Sequence, residues 1–337
     1  MEFYVSWSHS DPLYQLYDER CSMLISITAV SHIWRLSRFP KLPYHVMLDS
    51  GSYSYISNGL SLPTPKAVFQ RQLAILMGTT TPAIVCSVDH PIFGKSLSLT
   101  DKNRAIDKTI ANSWELKTLV AEYYRSVGID KQNLPLIEPL AIVQGYDTAS
   151  LKYCARQLQA MGHTRFGLGS MAHLYNMKEI VRRVEAVQSV VGKPIHIFGV
   201  SAIETMKILE ELQVASVDSA RPIKSAIYNA ILYSEPFQRF GIAGSIFRNG
   251  EKKFSDHKLL EQLSRPCPCP VCNNNINNNI LKLKVRKYLL LRAIHNYYHV
   301  KKMIAGWTEE NEVKKIESNL YQSVHHQQDT PHPIGIE

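Results

Sequence analysis

Ile195-His-Ile-Phe-Gly-Val200, then Ala202–Leu212, then Val214-Ala-Ser-Val217 closed by Asp218, reads as a strand, an amphipathic helix and a second strand that stops on a carboxylate. The pattern repeats upstream. Met23–Ile27, Tyr44–Leu48, Ala83–Val88, Leu140–Val143 and Arg165–Leu168 are short apolar, β-branched runs. Asn112–Ser126, Ala149–Met161 and Met177–Val191 are helix-like stretches lying between such runs. Strand-helix alternation of this kind predicts a parallel sheet with helices outside it. With Phe3–Val5 as a weak additional strand the runs number eight, which suits an α/β fold of the (β/α)8 TIM-barrel type. An open doubly wound sheet is the other architecture with this alternation, but no Gly-x-Gly-x-x-Gly turn follows an early strand.

The residues that close the strands carry the chemistry. Asp49 follows His45–Leu48, Asp89 follows Ile84–Val88, Gln144 follows Ala141–Val143, Gly169-Ser170 follow Phe166–Leu168, and Asp218 follows Ala215–Val217. Any one of them is as readily a turn or helix-capping residue. In a barrel, however, the strand C-termini converge on one mouth, where active sites sit. Three carboxylates and an amide aimed at one place are more than capping requires.

A second constellation lies near the C-terminus. Cys267-Pro-Cys269-Pro-Val-Cys272 places three of the six cysteines in six residues, and His295 follows 23 residues after Cys272. Three thiolates and an imidazole make a closed tetrahedral zinc site, which is structural because no coordination position stays open. His299 lies four residues beyond His295 on the same helical face, so either could reach the metal. The Asn-rich stretch Asn273–Asn279 reads as a solvated loop between ligands. Leu281–Lys302 reads as a helix that holds Lys282, Lys284, Arg286, Lys287, Arg292, Lys301 and Lys302 and no acidic residue. Such a helix is either a solvated face or a phosphate-contacting surface.

Lys and Arg total 38 against 29 Asp and Glu, a formal net charge of +9 in 337 residues, and this balance favours an anionic partner. Hydrophobic residues make up 45% of the chain, ordinary for a globular protein. Cys21, Cys86 and Cys154 are isolated, and neither a signal peptide nor an apolar run long enough to cross a bilayer is evident, so a reduced, cytoplasmic protein without a membrane partner is expected. The expected organisation is a barrel over 1–260, a zinc-binding subdomain with a basic helix over 261–310, and a poorly ordered polar tail over 311–337.

Taken in order, the motifs are Leu48-Asp49-Ser50-Gly51, Ser87-Val-Asp89-His90-Pro91, Val143-Gln144-Gly145, Gly167-Leu-Gly169-Ser170-Met171-Ala, Phe198-Gly-Val200, Val217-Asp218, the Cys-x-Cys-x-x-Cys cluster and His295-Asn296. This series resembles the tRNA-guanine transglycosylase superfamily, from about Tyr44 to His299. Its members are pentosyltransferases that exchange a guanine in nucleic acid for a 7-deazaguanine of the preQ0 or preQ1 type. The resemblance implies that Asp218 is the nucleophile, Asp49 the general acid/base and Asp89 the carboxylate that reads the guanine edge. Gln144, Gly169, Ser170 and Ser50 are the remaining substrate contacts it implies. Structural zinc would be held by Cys267, Cys269, Cys272 and His295, with His295 preferred over His299 because His295-Asn296 reproduces the family's His-Asn pair. Tyr53 and Tyr55, near the mouth, could stack on an extruded base, although packing after a strand explains them as well.

The chain also departs from the family. Gly169-Ser170 stand where a Gly-Gly pair is usual, and the Val-Gly-Glu that commonly follows is absent. Ser219-Ala-Arg221-Pro222-Ile-Lys224 replaces the Pro-Thr-Arg loop of the tRNA enzymes, and no further C-terminal RNA-binding domain is expected after the zinc region. These features lean toward the shorter branch that inserts 7-deazapurines into DNA, with tRNA as the alternative substrate. A catalytically silent nucleic-acid-binding partner subunit is the further alternative, opposed by retention of both Asp49 and Asp218. A barrel enzyme acting on a small phosphorylated metabolite would leave the zinc motif without a purpose. Homodimerisation and helper proteins stay open as partners.

Overall fold

The computed structural model describes residues 1–92, 97–127, 135–171, 174, 176–235, 237–241, 267–272 and 288–328, with side chains as far as 309. Eight parallel strands close into a barrel: β1 (Glu2–Trp7), β2 (Ser22–Ser26), β3 (His45–Asp49), β4 (Ala83–Cys86), β5 (Ile137–Val143), β6 (Phe166–Leu168), β7 (Ile195–Ile197) and β8 (Ser216–Ser219). Each strand pairs with its sequence neighbour, and closure comes from β8 against β1, with Tyr4 opposite Asp218. The strands read as apolar runs because both faces are covered. Tyr4, Leu24, Met47, Cys86, Leu140 and Ile142 form one buried cluster, while a larger one joins the strands to the helices.

The helices α1 (Ser52–Ser57) and α2 (Pro65–Leu76) follow β3, and α3 (Leu99–Ser126), α4 (Thr148–Ala160), α5 (Met177–Val191), α6 (Ile203–Glu211) and α7 (Arg221–Ile227) follow β4 to β8 in turn. Helix α5 shows the logic. Asn176 caps its first turn by accepting from Lys178 and Glu179 N–H, and Ile180, Val184 and Val187 recur at helical spacing on the buried side. Helix α4 begins on a reciprocal cap between Asp147 and Ser150.

The strand count predicted from sequence matches, while the ends differ. β4 stops at Cys86 and β7 at Ile197, before the apolar run ends in each case. Val88 and Val200 stay buried in the loops beyond, so hydrophobicity there reports burial and not pairing.

After α7 an antiparallel hairpin of β9 (Ala230–Ser234) and β10 (Phe237–Gly241) precedes a long helix, α8 (Leu289–Gln328), which packs on α7 and β9. The basic helix expected over 281–302 therefore begins at Leu289 among the described residues; Lys282, Lys284, Arg286, Lys287 and the stretch 273–279 lie outside them. The segment read as a tail, 311–337, is helical as far as Gln328, and 329–337 lie outside the described residues. Among the described residues no helix is long and apolar enough to cross a membrane.

Candidate active site and metal centre

All the strand-terminal residues singled out above sit at the C-terminal ends of β3, β4, β5, β6 and β8, the side of the barrel on which active sites are built. Asp218 lies within β8 and Asp49 is the last residue of β3; Asp89, Gln144, Gly169 and Ser170 lie in the loops that leave β4, β5 and β6. Asp218 and Asp89 are buried. Burial pushes the Asp49 carboxyl above the ordinary carboxylate range, and the negative charge of Asp218 pushes it the same way. Burial likewise raises Asp89, to about 6, with the charge of Asp49 adding to it. Asp49 therefore lies in the field of Asp218, and Asp89 in that of Asp49, in a poorly solvated mouth.

Asp218 is held from three sides. Its Oδ1 accepts from the Gly199 N–H at 2.8 Å and its Oδ2 from the Ser6 hydroxyl at 2.8 Å. His196 of β7 brings Nε2 to 3.4 Å from Oδ1, while Ser216 contacts the other ring nitrogen at 2.8 Å. Asp49 accepts from the Gly51 N–H at 2.9 Å, and Ser26, its partner in the β2–β3 register, also donates to it. Gly51 stands at φ 76°. A Cβ there would lie 2.7 Å from Thr28, so both conformation and space ask for glycine.

Ser50 joins this loop to the next. Its hydroxyl contacts that of Ser52 at 2.9 Å, and the Asp89 N–H donates to Ser52 Oγ at 3.3 Å. Gln144, fully buried, donates from Nε2 to Asp89 Oδ2 at 2.5 Å and accepts at Oε1 from Ser170 at 2.7 Å. Sequence reasoning places Asp89 and Gln144 separately on a base; the structure brings them onto each other. Gly169 is required at this contact, since a Cβ on it would lie 2.4 Å from Gln144 Nε2. Tyr53 is exposed and Tyr55 packs partly against the core.

Several contributors carry no motif that sequence reasoning picks out: Ser6, Ser26, Ser52 and His196; Gly199 lies in the Phe198-Gly-Val200 motif, but the motif does not reveal its contact to Asp218. A signal exists for two of them. Val5-Ser6-Trp7 and Ile195-His196-Ile197 each set a polar residue within an apolar strand, and in a barrel that residue faces the lumen or its mouth.

The second constellation also assembles. Cys267, Cys269, Cys272 and His295 offer ligand atoms all within 4.8 Å of one another, and this group could hold a metal ion. His295 Nδ1 lies 3.3, 3.6 and 3.8 Å from the sulfurs of Cys269, Cys272 and Cys267. A tetrahedral zinc with ordinary Zn–S and Zn–N lengths needs such edges to be about 3.5 Å, so the donor set and its spacing fit zinc. A hydrogen bond from Cys269 is the main influence lowering the Cys267 thiol.

Hydrogen bonds separate the two histidines. His295 Nε2 faces the Leu232 carbonyl at 2.9 Å, so it carries the proton and leaves the Nδ1 lone pair for the sulfur cage. His299 has the same tautomer but turns its other nitrogen to the sulfurs: its Nδ1 accepts from the Ser234 N–H at 3.2 Å, which puts the proton on Nε2, 3.3 Å from Cys267 Sγ. His299 donates to a ligand and does not replace one. Asn296 explains why it accompanies His295. Fully buried, it accepts from the Leu232 N–H at 2.8 Å and donates to the carbonyls of Ala230 and Pro222 at 3.0 and 3.3 Å, tying α8 to the hairpin and α7.

The phosphate-contacting reading of Arg292 is corrected by this packing. Arg292 is buried and donates to the Ala226 carbonyl at 2.9 and 3.0 Å and to Asn229 Oδ1 at 3.0 Å. Lys301 pairs with Asp18, and Lys302 with Glu235 at 2.8 Å.

Comparison with known proteins adds a family. A family model described as queuine tRNA-ribosyltransferase matches residues 26–316. The tRNA-guanine(15) transglycosylase of Methanopyrus kandleri is 23% identical over 197 residues, 56% of this chain and 38% of that protein. The queuine tRNA-ribosyltransferase of Chlamydia caviae is 24% identical over 142 residues, 40% of this chain and 35% of that protein. The chain thus spans well under half the length of either relative.

Proposed function

We propose, from the premise that the chain belongs to the queuine tRNA-ribosyltransferase family, that it is a base-exchanging guanine transglycosylase working through a covalent Asp218–glycosyl intermediate. The observation that carries this reading is the pairing of unlike carboxylates at one mouth. Asp218 is fixed by Ser6 and the Gly199 N–H, while Asp49 is pushed toward its protonated form by burial and by the charge of Asp218.

Exchange with retention of the sugar configuration needs two displacements. In the first, an Asp218 oxygen bonds to C1′ as the bond from C1′ to guanine N9 breaks, and the electron pair left on the base takes the proton that Asp49 holds. In the second, Asp49, now a carboxylate, takes the N9 proton of the incoming 7-deazaguanine; N9 bonds to C1′ and the ester to Asp218 breaks. Both carboxylates end as they began. Asp89 supplies acceptors for the adjacent N1 and N2 donors of guanine, and the Gln144 amide and a backbone N–H in the Gly169-Ser170 turn supply donors for O6. An adenine would leave those groups unpaired in a buried site.

The Cys3His group would hold a structural zinc that joins the 267–272 loop to α8 beside β9. It supplies folding free energy to that region and enters neither displacement.

DNA is the substrate we carry forward, on the ground that Ser219–Lys224 lacks the Pro-Thr-Arg loop of the tRNA enzymes. The second reading is tRNA, favoured by the names of the two relatives. Purified protein offered tRNA and duplex DNA with a labelled 7-deazaguanine, followed by mass spectrometry of the nucleosides, decides between them. Label in DNA supports the first reading. Label confined to tRNA removes it and keeps the transglycosylase, and label in neither, with helper proteins supplied, favours a silent binding subunit.

A further inference from the structure

Ser170 stands at φ 56°, in the left-handed region that glycine enters freely and serine only at a cost. Its hydroxyl does something a glycine could not. The Ile92 N–H donates to Ser170 Oγ at 3.0 Å, which occupies the acceptor side and turns the hydroxyl proton toward Gln144, 2.7 Å away. A donor can face only the oxygen of an amide, so this contact, with the Asp89 carboxyl at the other end, distinguishes the two ends of the Gln144 side chain. The NH2 end is then directed to Asp89, 2.5 Å away on the base-reading side. Gly169 leaves no room beyond it, because its hypothetical Cβ would overlap Gln144 Nε2.

Resting on the base-exchange reading above, we propose that Ser170 is a specificity-determining residue whose hydroxyl locks the Gln144 amide with its NH2 toward the base, selecting a 6-oxo purine over a 6-amino purine. Without the hydroxyl, one of the two contacts that oppose an amide flip is gone, and the flipped amide presents an acceptor to a 6-amino group. Ser170 acts through Gln144 and need not touch the base with its side chain. The loss of one neutral hydrogen bond sets the scale, about five- to tenfold in selectivity.

The test measures binding of free guanine and free 2,6-diaminopurine to wild type, Ser170→Gly and Ser170→Ala by calorimetry at one pH. Diaminopurine also lacks the N1 proton that Asp89 reads, but that share of the discrimination is common to all three proteins and cancels when their guanine-to-diaminopurine ratios are compared. Both variants should lose about five- to tenfold in the ratio, while Ser170→Gly, relieved of its strained φ, should melt no lower than wild type. A purely structural role would weaken both bases alike and leave the ratio unmoved, which overturns the inference alone. So does a ratio lost in the alanine variant and kept in the glycine one, since backbone strain would then be the cause. Wild type that binds no guanine removes the transglycosylase reading and this inference with it.

Discussion

The barrel mouth and the Cys3His region are both buried and polar, yet they treat their polar groups in opposite ways. Around the cysteines every imidazole and amide named above is committed to a backbone partner: His295 to Leu232, His299 to Ser234, Asn296 to Leu232, Ala230 and Pro222. At the mouth, Asp49 and Asp89 have raised carboxyl affinities for protons, His196 Nε2 faces Asp218 at 3.4 Å without making a hydrogen bond among the described residues, and Ser170 holds a left-handed backbone. A region whose groups are already satisfied is suited to hold a shape. One that crowds buried carboxyl groups and shifts their proton affinities is suited to receive a ligand.

The sharpest way to break the comparison is at Asp218. Asp218→Asn keeps the shape and removes the nucleophile, so exchange of labelled guanine should fall by about a thousandfold or more, with the melting temperature little changed or raised by relief of like-charge crowding. Unchanged exchange would mean that the mouth is not the reacting site.

The opposite profile is expected in the other region. Cys269→Ser and His295→Ala should each lose bound metal and lower the melting temperature, because binding and folding free energy are one quantity there. His299→Ala should retain the metal with affinity reduced about 10- to 100-fold, as for a group that only supports a ligand. Metal analysis of the three proteins checks this, and metal lost from the His299 variant while the His295 variant keeps it would reverse the assignment.

A smaller effect is titratable. Burial holds the Asp89 carboxyl near 6, so below that pH the group is protonated and cannot accept from both guanine donors, whereas above it the carboxylate can. Guanine affinity should therefore rise as pH increases through about 6 and then level off. Stability takes the other sign. Between the unfolded value of 3.8 and about 6 the folded chain binds more protons at Asp89 than the unfolded one, so this group's contribution falls as pH rises through that window. Calorimetric titration of guanine across this range, with Asp89→Asn as the flat control, would show it.

The same contrast between the two regions decides which features are legible in the sequence. Eight strands are legible because parallel strands are apolar on both faces, and their terminal carboxylates stand out against that background. Strand ends are not, since Val88 and Val200 continue the apolar run by packing in loops. The carboxylate partners lie hidden for a different reason: Ser6 and Asp218 are 212 residues apart, and a single serine in a strand gives no hint of which strand closes on it. The acid-free start of α8 misleads in the other direction. Arg292 carries its charge into the protein to bond the Ala226 carbonyl, and composition alone does not separate that use from a solvated one. His295 and His299 are indistinguishable by spacing and become distinct through the Leu232 carbonyl and the Ser234 N–H.

The covalent bond from Asp218 to the sugar is the step on which the base-exchange reading depends most directly. Wild type, Asp218→Asn and Asp49→Asn should be incubated with the nucleic acid that supports exchange, denatured, digested and mapped by mass spectrometry. The expected result is an adduct on the peptide that contains Asp218 in wild type, more of it in Asp49→Asn, where the second displacement lacks its base, and none in Asp218→Asn. An adduct on any other residue, or normal exchange by Asp218→Asn without one, would contradict it.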